Sequence, residues 1–158
     1  MSEIHVYLLN FINIFFIILV TGKKYYEENI DKIKQIEGDA FKVIGFTDML
    51  IDLIKRASIV VSRSGATTLV ELMALSKICI FVPSPNVTNN HQEKNADILV
   101  KNECALKLLE KDLSVSSLVK SITKLEDNMT RIKFKNNMRK LVNYHASHDF
   151  IKEIKKLI

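Results

Sequence analysis

Short apolar runs alternate with helical patterns along the chain, and this alternation limits the possible folds more than any other feature. Five runs have the length of buried strands: 14–20 (IFFIILV), 41–46 (FKVIGF), 58–62 (SIVVS), 78–82 (ICIFV) and 104–109 (CALKLL). Helical patterns lie between and after them, at 25–36, 48–56, 67–76, 89–101, 114–126, 129–144 and 147–157. This order predicts an α/β fold of the Rossmann-like type, with a parallel sheet, right-handed crossovers and flanking helices.

The length and composition favour a single domain. With 158 residues, of which 47% are hydrophobic, the chain can bury one substantial core. We therefore expect one domain over residues 1–158, with C-terminal helices from about residue 129. Cys79 and Cys104 each lie inside an apolar run without nearby cysteine or histidine partners, which predicts buried reduced thiols rather than a zinc site.

The apolar N-terminal segment VYLLNFINIFFIILV, residues 6–20, has two interpretations. As a membrane anchor it is short, Asn10 and Asn13 interrupt it, and Glu3 and His5 stand where a signal sequence is basic. We favour the end of a helix, a turn near Asn13, and a buried strand from residue 14 to 20. The membrane anchor remains the alternative.

The chain carries a formal net charge of +5, and its excess of basic residues lies near the C-terminus. The basic residues there are Arg131, Lys133, Lys135, Arg139, Lys140, Lys152, Lys155 and Lys156. Such a segment suits nucleic acid, an anionic membrane surface or a solvated helix face. Acidic residues are interspersed and no aromatic platform accompanies the lysines, so we do not expect nucleic acid as a partner.

The first of three unusual loops, SRSGATTLVE at residues 62–71, follows a predicted strand. Gly65 permits a turn or a close backbone approach, and the amides of residues 66–68 would open a helix. Free amides and the helix dipole suit a phosphate, and Glu71 could accept hydrogen bonds from sugar hydroxyls. Alternatively, Ser64 or Thr67 caps the helix and Glu71 only complements its dipole.

The second loop, VPSPNVTNNHQEKNA at residues 82–96, combines two prolines with a cluster of neutral polar side chains. Such side chains can bind the hydroxyl groups of an uncharged sugar. Gln92 and Asn95 are three residues apart, so on a helix they share a face. Alternatively, Asn89 or Asn90 caps the helix and the others are solvated. His91 is a possible base, although a lone histidine in a polar loop is usually solvated.

The third loop, GFTDML at residues 45–50, also ends a predicted strand. Backbone groups around Phe46 and Thr47 could pair with the edge of a base. Asp48 is expected to cap the following helix. Alone, this loop indicates little about function.

Together, GFTDML, SRSGATTLVE and VPSPNVTNNHQEKNA resemble the donor-binding half of the MurG family. The resemblance begins at TGKKYYEEN, and its most specific stretch is the proline-bracketed loop ending in HQEKNA. These bacterial enzymes transfer GlcNAc from UDP-GlcNAc to an undecaprenyl-pyrophosphoryl-muramoyl-pentapeptide lipid. They have two Rossmann-like domains in a GT-B fold, and the C-terminal one binds most of the nucleotide sugar.

The resemblance implies roles for ten residues. It places backbone at Phe46 and Thr47 against uracil, and Glu71 at the ribose hydroxyls. It places Gln92 and Asn95 at the GlcNAc hydroxyls. The diphosphate would be lined by Ser64, Gly65, Ala66, Thr67 and Thr68.

Two parts of the family pattern have no match in this sequence. They are the N-terminal acceptor domain with its proposed base, and the glycine-rich turn that opens the C-terminal domain. Because the helix after that turn would begin near Ser2, we expect a sheet without its first strand. The catalytic residues are unknown on this interpretation.

The resemblance therefore implies a UDP-GlcNAc donor-binding domain that needs a separate acceptor domain, or self-association, for activity. No cofactor is expected, and no metal, since the sequence has no Asp-x-Asp pair. The location would be cytoplasmic, with possible peripheral contact at the inner face of the membrane. The alternative is a non-catalytic remnant that binds UDP-sugar weakly or serves only as an oligomeric interaction domain.

Overall fold

The computed structural model describes residues 5–11 and 14–156. They form one six-stranded sheet in the order β3-β2-β1-β4-β5-β6. The strands are β1 (His5–Phe11), β2 (Ile14–Val20), β3 (Phe41–Ile44), β4 (Ile59–Ser62), β5 (Cys79–Phe81) and β6 (Ala105–Lys107). All five predicted strands are therefore present, with shorter bounds at four of them.

Helices follow each strand from β2 onward. They are α1 (Lys23–Glu28), α2 (Ile30–Ile36), α3 (Leu50–Arg56), α4 (Ala66–Ala74), α5 (His91–Lys101), α6 (Val115–Glu126), α7 (Asn128–Leu141) and α8 (Ala146–Ile154). Short 3₁₀ turns at Thr88–Asn90 and Glu110–Asp112 precede α5 and α6. The single helix predicted over 25–36 is two helices, because the chain leaves helical geometry at Asn29 (φ −124°, ψ 19°).

The N-terminal residues differ from the prediction. Residues 5–11 form a strand, not the end of a helix, and β1 pairs antiparallel with both β2 and β4. The pairs β2–β3, β4–β5 and β5–β6 are parallel, so the sheet is mixed rather than wholly parallel. The predicted turn near Asn13 lies outside the described residues. The sheet thus has a strand between β2 and β4, in reversed direction, where we expected one to be missing.

The core lies on both faces of the sheet, which explains why the strands are apolar throughout. In β4, Val60 packs in one cluster with Leu72 of α4 and Leu99 of α5, whereas Ile59 and Val61 pack in another with helices α6 and α7. Side chains alternate between the faces of a strand, so a strand covered on both sides must be continuously apolar. The predicted α/β class with flanking helices is confirmed.

Two further expectations concern buried groups. Cys79 and Cys104 are both buried free thiols, as predicted. Residues 16–20 of β2 are buried or half-buried within the sheet, in agreement with the predicted buried strand. Among the helices of the described residues, none is long and apolar enough to cross a bilayer.

Candidate functional site

The predicted loops lie at one edge of the sheet, where the parallel strands β2 to β5 end. The order of the strands places β2 and β1 between β3 and β4. At about 4.8 Å per strand, the exits of β3 and β4 are therefore roughly 14 Å apart. Only an elongated ligand could contact both loops. Since β1 runs antiparallel, it brings its amino end to the middle of this edge.

Helix α4, which follows β4, has an uncapped N-terminus. Gly65 is the N-cap of α4, and no side chain accepts a hydrogen bond from the first turn. Leu69 donates the first backbone bond, to the carbonyl of Gly65 at 2.9 Å. No described residue accepts from the amides of residues 66–68, so these amides remain available for an anion. The alternative in which Ser64 or Thr67 caps this helix is wrong.

The conformation of Gly65 does not itself require glycine. Its φ of −60° and ψ of 146° are accessible to any residue. The turn at the end of β4 therefore does not depend on glycine's conformational freedom. A close approach of a ligand to the backbone at Gly65 stays a prediction.

Ser64 connects the exit of β4 to α5. It is fully buried, and its hydroxyl donates to the carbonyl of Gln92 at 2.7 Å. The Asn95 amide nitrogen Nδ2 donates in return to the carbonyl of Ser64 at 3.1 Å. The two bonds fix the start of α4 against the start of α5. The hydroxyl proton of Ser64 is used within the protein and the residue has no exposed surface, so the side chain supports the start of α4 rather than presenting a group to a ligand.

Gln92 and Asn95 share a face of α5, as their spacing predicts, but each has one group engaged within the protein. Gln92 is 7% exposed, and its side-chain oxygen Oε1 accepts from the amide of Ser84 at 2.9 Å. This bond holds the exit of β5 against the helix. For a sugar, Gln92 retains the donor Nε2, and half-buried Asn95 retains the acceptor Oδ1.

Glu71 lies one turn along α4 from Thr67 and is half-buried. No described residue donates a hydrogen bond to its carboxylate or forms an ion pair with it. A half-buried carboxylate without a protein partner can accept hydrogen bonds from two neighbouring hydroxyl groups. The geometry is compatible with the ribose contact that the resemblance implies, which remains a prediction.

The loop after β3 is shaped by Thr47 rather than Asp48. The Thr47 hydroxyl accepts a hydrogen bond from the amide of Met49 at 3.0 Å, and α3 has no side-chain cap. The prediction that Asp48 caps this helix is therefore wrong, because Thr47 bonds the same stretch of backbone locally. The ring of Phe46 is 58% exposed, and the Lys23 ammonium lies 4.8 Å from its centroid.

A glycine at position 45 is required by packing. A Cβ atom built on Gly45 would lie 2.8 Å from Cβ of Tyr26 in α1, closer than two carbon atoms can approach. The contact holds α1 against the start of the loop. It explains why the chain places one of its 4 glycines immediately before Phe46.

Arg63 has a structural role in the site that was not predicted from the sequence. Its guanidinium donates to the carbonyls of Val82 and Pro83, at 3.0 and 3.3 Å, and pairs with Glu110. One side chain thus connects the loops that follow β4, β5 and β6. An arginine inside a strand-exit loop is the only signal in the sequence, and its partners lie 19 to 47 positions away.

His91 stands at the start of α5, exposed, with its Nδ1 atom 2.8 Å from the carbonyl of Thr88. No side chain caps α5; the Asn90 side chain instead donates to Glu93 at 2.7 Å. The alternative in which Asn89 or Asn90 supplies a side-chain cap is therefore wrong. Bonds from Asn90 and then Lys107 lower the pKa of the Glu93 carboxyl.

A cleft of about 580 Å³ lies beside the site, between the exits of β5 and β6. Its lining is Pro83, Ser84, Pro85, Asn90, Glu93, Leu109, Glu110 and Lys111, which includes none of the ten predicted residues. Its lining carries two carboxylates and one lysine, whereas the open amides of α4 and the helix dipole offer only positive charge, so they remain the better phosphate site. Within the described part of the chain, no group of three or more His, Cys, Asp or Glu side chains could hold a metal ion.

Comparison with protein families finds a match to the glycosyltransferase family 28 C-terminal domain over residues 6–156. Two similar relatives are named UDP-N-acetylglucosamine--N-acetylmuramyl-(pentapeptide) pyrophosphoryl-undecaprenol N-acetylglucosamine transferases. One, from Bacillus cereus, is 44% identical over 111 residues, covering 69% of this chain and 30% of the relative. The other, from Thermoanaerobacter sp., is 35% identical over 145 residues, covering 89% of this chain and 40% of the relative.

Solved structures with the same fold include Acinetobacter baumannii MurG. It matches with a TM-score of 0.73 at 19% identity, over 87% of this chain and 40% of that chain. The spinosyn forosaminyltransferase SpnP matches with a TM-score of 0.63 at 15% identity, over 77% of this chain and 31% of that chain. The chain thus spans 30 to 40% of the length of these relatives and structures.

Proposed function

The chain belongs to glycosyltransferase family 28, as a C-terminal domain with the fold of the C-terminal half of a GT-B enzyme, and we propose that it binds UDP-GlcNAc as the sugar donor. The observation that carries the proposal is the uncapped N-terminus of α4 at the carboxyl edge of the sheet. A diphosphate there would receive amide hydrogen bonds and the positive end of the helix dipole.

The side chains around that helix suit the rest of such a donor. Glu71 offers an unpaired carboxylate for ribose hydroxyls, and Gln92 and Asn95 keep one donor and one acceptor for a hexose. The exit of β3, roughly 14 Å away, offers backbone at Phe46 and Thr47 for a base. The extended shape of a nucleotide sugar matches this spread of groups.

In this proposal the domain's chemical role is stabilisation of the leaving group. As the bond to the anomeric carbon breaks, negative charge grows on the diphosphate, where the amides of residues 66–68 point. Removal of the proton from an acceptor hydroxyl needs a base within hydrogen-bond reach. No described side chain stands out as that base, so we place it on a separate acceptor domain.

The acceptor would be the lipid-linked muramoyl pentapeptide named for the relatives, and the reaction a step of peptidoglycan precursor synthesis. This places the protein in the cytoplasm, in peripheral contact with the membrane that carries the lipid. Both the acceptor domain and the membrane contact are parts of the proposal that rest on the family.

One observation favours a second candidate, a domain that binds UDP-sugar weakly or serves only in oligomeric interaction. β1 brings its amino end, rather than a strand-to-helix turn, to the middle of the carboxyl edge. The site therefore has no helix N-terminus contributed by β1. Affinity for the donor distinguishes this candidate from the first.

The test is calorimetric titration of the chain with UDP-GlcNAc, UDP-glucose and UDP. We expect UDP-GlcNAc to bind most tightly, and Glu71→Gln to weaken it roughly thirtyfold, since loss of hydrogen bonds to a charged acceptor costs about 2 kcal/mol. Glu126→Gln is the matched control, because Glu126 is exposed on α6 and its carboxylate forms no ion pair or hydrogen bond with the described side chains.

The outcomes separate the two candidates. Tight, selective binding that is lost in Glu71→Gln but kept in Glu126→Gln supports the donor domain. Weak binding without preference for UDP-GlcNAc supports the second candidate. If a folded chain binds none of the three ligands, the donor-site proposal is wrong.

A further inference from the structure

A second polar pocket lies at the opposite edge of the sheet, where β4 and β5 begin. It has a volume of about 250 Å³. The residues that line it are Ala57, Ser58, Leu75, Ser76, Lys77, Ile78, Arg131, Lys135 and Arg139. Four of these nine side chains are cationic and none is acidic, whereas the cleft between the exits of β5 and β6 is lined by two carboxylates and one lysine.

Three of the cations form one stripe along α7. Arg131, Lys135 and Arg139 are spaced four residues apart, so they lie on the same helix face. Like charges at this spacing destabilise a helix by about 0.2–0.5 kcal/mol per pair. The arrangement therefore costs stability unless a negative charge is nearby.

No described carboxylate supplies that charge. None of Lys77, Arg131, Lys135 and Arg139 forms an ion pair within the described residues, whereas Lys133 of the same helix pairs with Glu103 at 2.6 Å. Burial lowers the pKa of the Lys77 ammonium, and the charges of Lys135 and Arg131 lower it further. The cations therefore act on each other with little compensation.

Backbone carbonyls compensate only part of this charge. The Lys77 ammonium donates to the carbonyls of Lys55 and Ala57 at 2.6 and 3.1 Å, and Arg131 donates to the carbonyls of Leu125 and Ser58, both at 3.3 Å. These groups lie at or near the carboxyl ends of α3 and α6, and α4 also ends beside the pocket. Each helix end carries about half a negative charge, which gives roughly −1.5 against four cations.

We propose that this pocket, formed by Lys77, Arg131, Lys135 and Arg139, is a binding site for a phosphate group. The pocket has room for about eight water molecules at roughly 30 Å³ each, enough for a phosphate with part of its hydration. Arginine and lysine together provide the charged donors that phosphate oxygens accept. The phosphate belongs either to a small anion in solution or to a lipid headgroup.

The location separates this site from the proposed donor site. The two lie at opposite ends of β4 and β5, so one phosphate cannot contact both. The inference does not rest on donor binding, and either can fail while the other stands.

The test is an NMR titration of the chain's backbone amides with inorganic pyrophosphate. We expect shifts at residues 75–78 and along the Arg131 to Arg139 face of α7. The double variant Lys135→Gln, Arg139→Gln should weaken this response about tenfold, because two charged donors are lost and each contributes only modestly at an exposed position. Both residues are exposed, so the variant should fold.

The matched control is the double variant Lys120→Gln, Lys140→Gln. It removes the same charge from exposed positions of α6 and α7 that do not line the pocket. We expect this control to keep the pyrophosphate response within about twofold, because distant surface charges are largely screened.

Cosedimentation with vesicles distinguishes the source of the phosphate. Binding to phosphatidylglycerol vesicles but not phosphatidylcholine vesicles, lost only in the pocket variant, assigns the site to a lipid headgroup. A pyrophosphate response without vesicle binding assigns it to a small anion. The proposal is overturned if neither ligand binds, if shifts occur only at residues 64–68, or if both variants lose binding equally.

Discussion

The two edges of the sheet use polar side chains in opposite ways. At the carboxyl edge, Ser64, Gln92 and Asn95 bond to one another's backbone and to the exit of β5, and Arg63 has a carboxylate partner. At the amino edge, where β4 and β5 begin, Lys77 and Arg131 donate hydrogen bonds only to backbone carbonyls. The other cations of the pocket have no carboxylate partner among the described residues. The side chains at the carboxyl edge hold their geometry without a ligand. The cations at the amino edge repel one another and lower the stability of the fold unless an anion is bound. A polar cluster therefore indicates a ligand most directly when its charges are left unbalanced.

The largest loss of stability should come from removing a hydrogen bond at the carboxyl edge. Gln92→Leu leaves the amide of Ser84 buried without its acceptor. We expect the free energy of unfolding to fall by about 2 kcal/mol, measured by urea denaturation.

Lys94→Leu is the control for this variant, since Lys94 is an exposed residue of the same helix. It should change the stability by less than about 0.5 kcal/mol. If Gln92→Leu is as stable as the unaltered chain, the carboxyl edge does not hold itself together through this bond.

Removing a charge at the amino edge should raise the free energy of unfolding, by less than Gln92→Leu lowers it. Lys135→Gln removes both i,i+4 repulsions on α7, with Arg131 and with Arg139. We expect the free energy of unfolding to rise by about 0.4–1 kcal/mol at low salt, and the gain to shrink as salt screens the charges.

Lys140→Gln provides the comparison on the same helix, because no charged residue lies three or four positions from Lys140. It should leave stability nearly unchanged. A destabilised Lys135→Gln variant would show that Lys135 has a favourable partner after all, and would remove the contrast between the edges.

The stability should also depend weakly on pH through Lys77. Burial, then Lys135 and Arg131, lower its pKa in the folded chain below the usual 10.5. The unfolded chain therefore binds more protons between the folded pKa and 10.5, and stability should rise with pH across that window.

Lys77→Met should remove this rise. The readout is the difference in pH slope between the two chains, measured by urea unfolding as the pH approaches 10.5. Equal slopes would show that the surrounding cations do not destabilise the Lys77 ammonium.

How far the sequence predicts this molecule depends on the range of the interactions involved. Strands β2 to β6 were predictable because each is a short apolar run covered on both faces. The strand at His5–Phe11 was not, because a short apolar run fits a buried helix as well as a strand. Only its pairing with β2 and β4 decides between them.

The candidate site shows the same division. The shared face of Gln92 and Asn95 follows from helical spacing, whereas local sequence alone left open whether Ser64 or Thr67 caps α4. The bonds that Ser64 makes with α5 join residues 28 and 31 positions apart, and local patterns do not contain them. The predicted cap at Asp48 was wrong because the neighbouring Thr47 hydroxyl accepts the hydrogen bond from the amide of Met49. Local sequence does not show which of two adjacent side chains makes such a bond.

The reversed direction of β1 also has a consequence for the order in which the chain assembles. β1 and β2 are neighbours in sequence and pair residue for residue from His5–Val20 to Phe11–Ile14, so they can close as a hairpin within about 1–10 μs. Each parallel pair must wait for a crossover helix to form. We therefore expect the centre of the sheet to form first, with β3 adding on one side and β4 to β6 on the other.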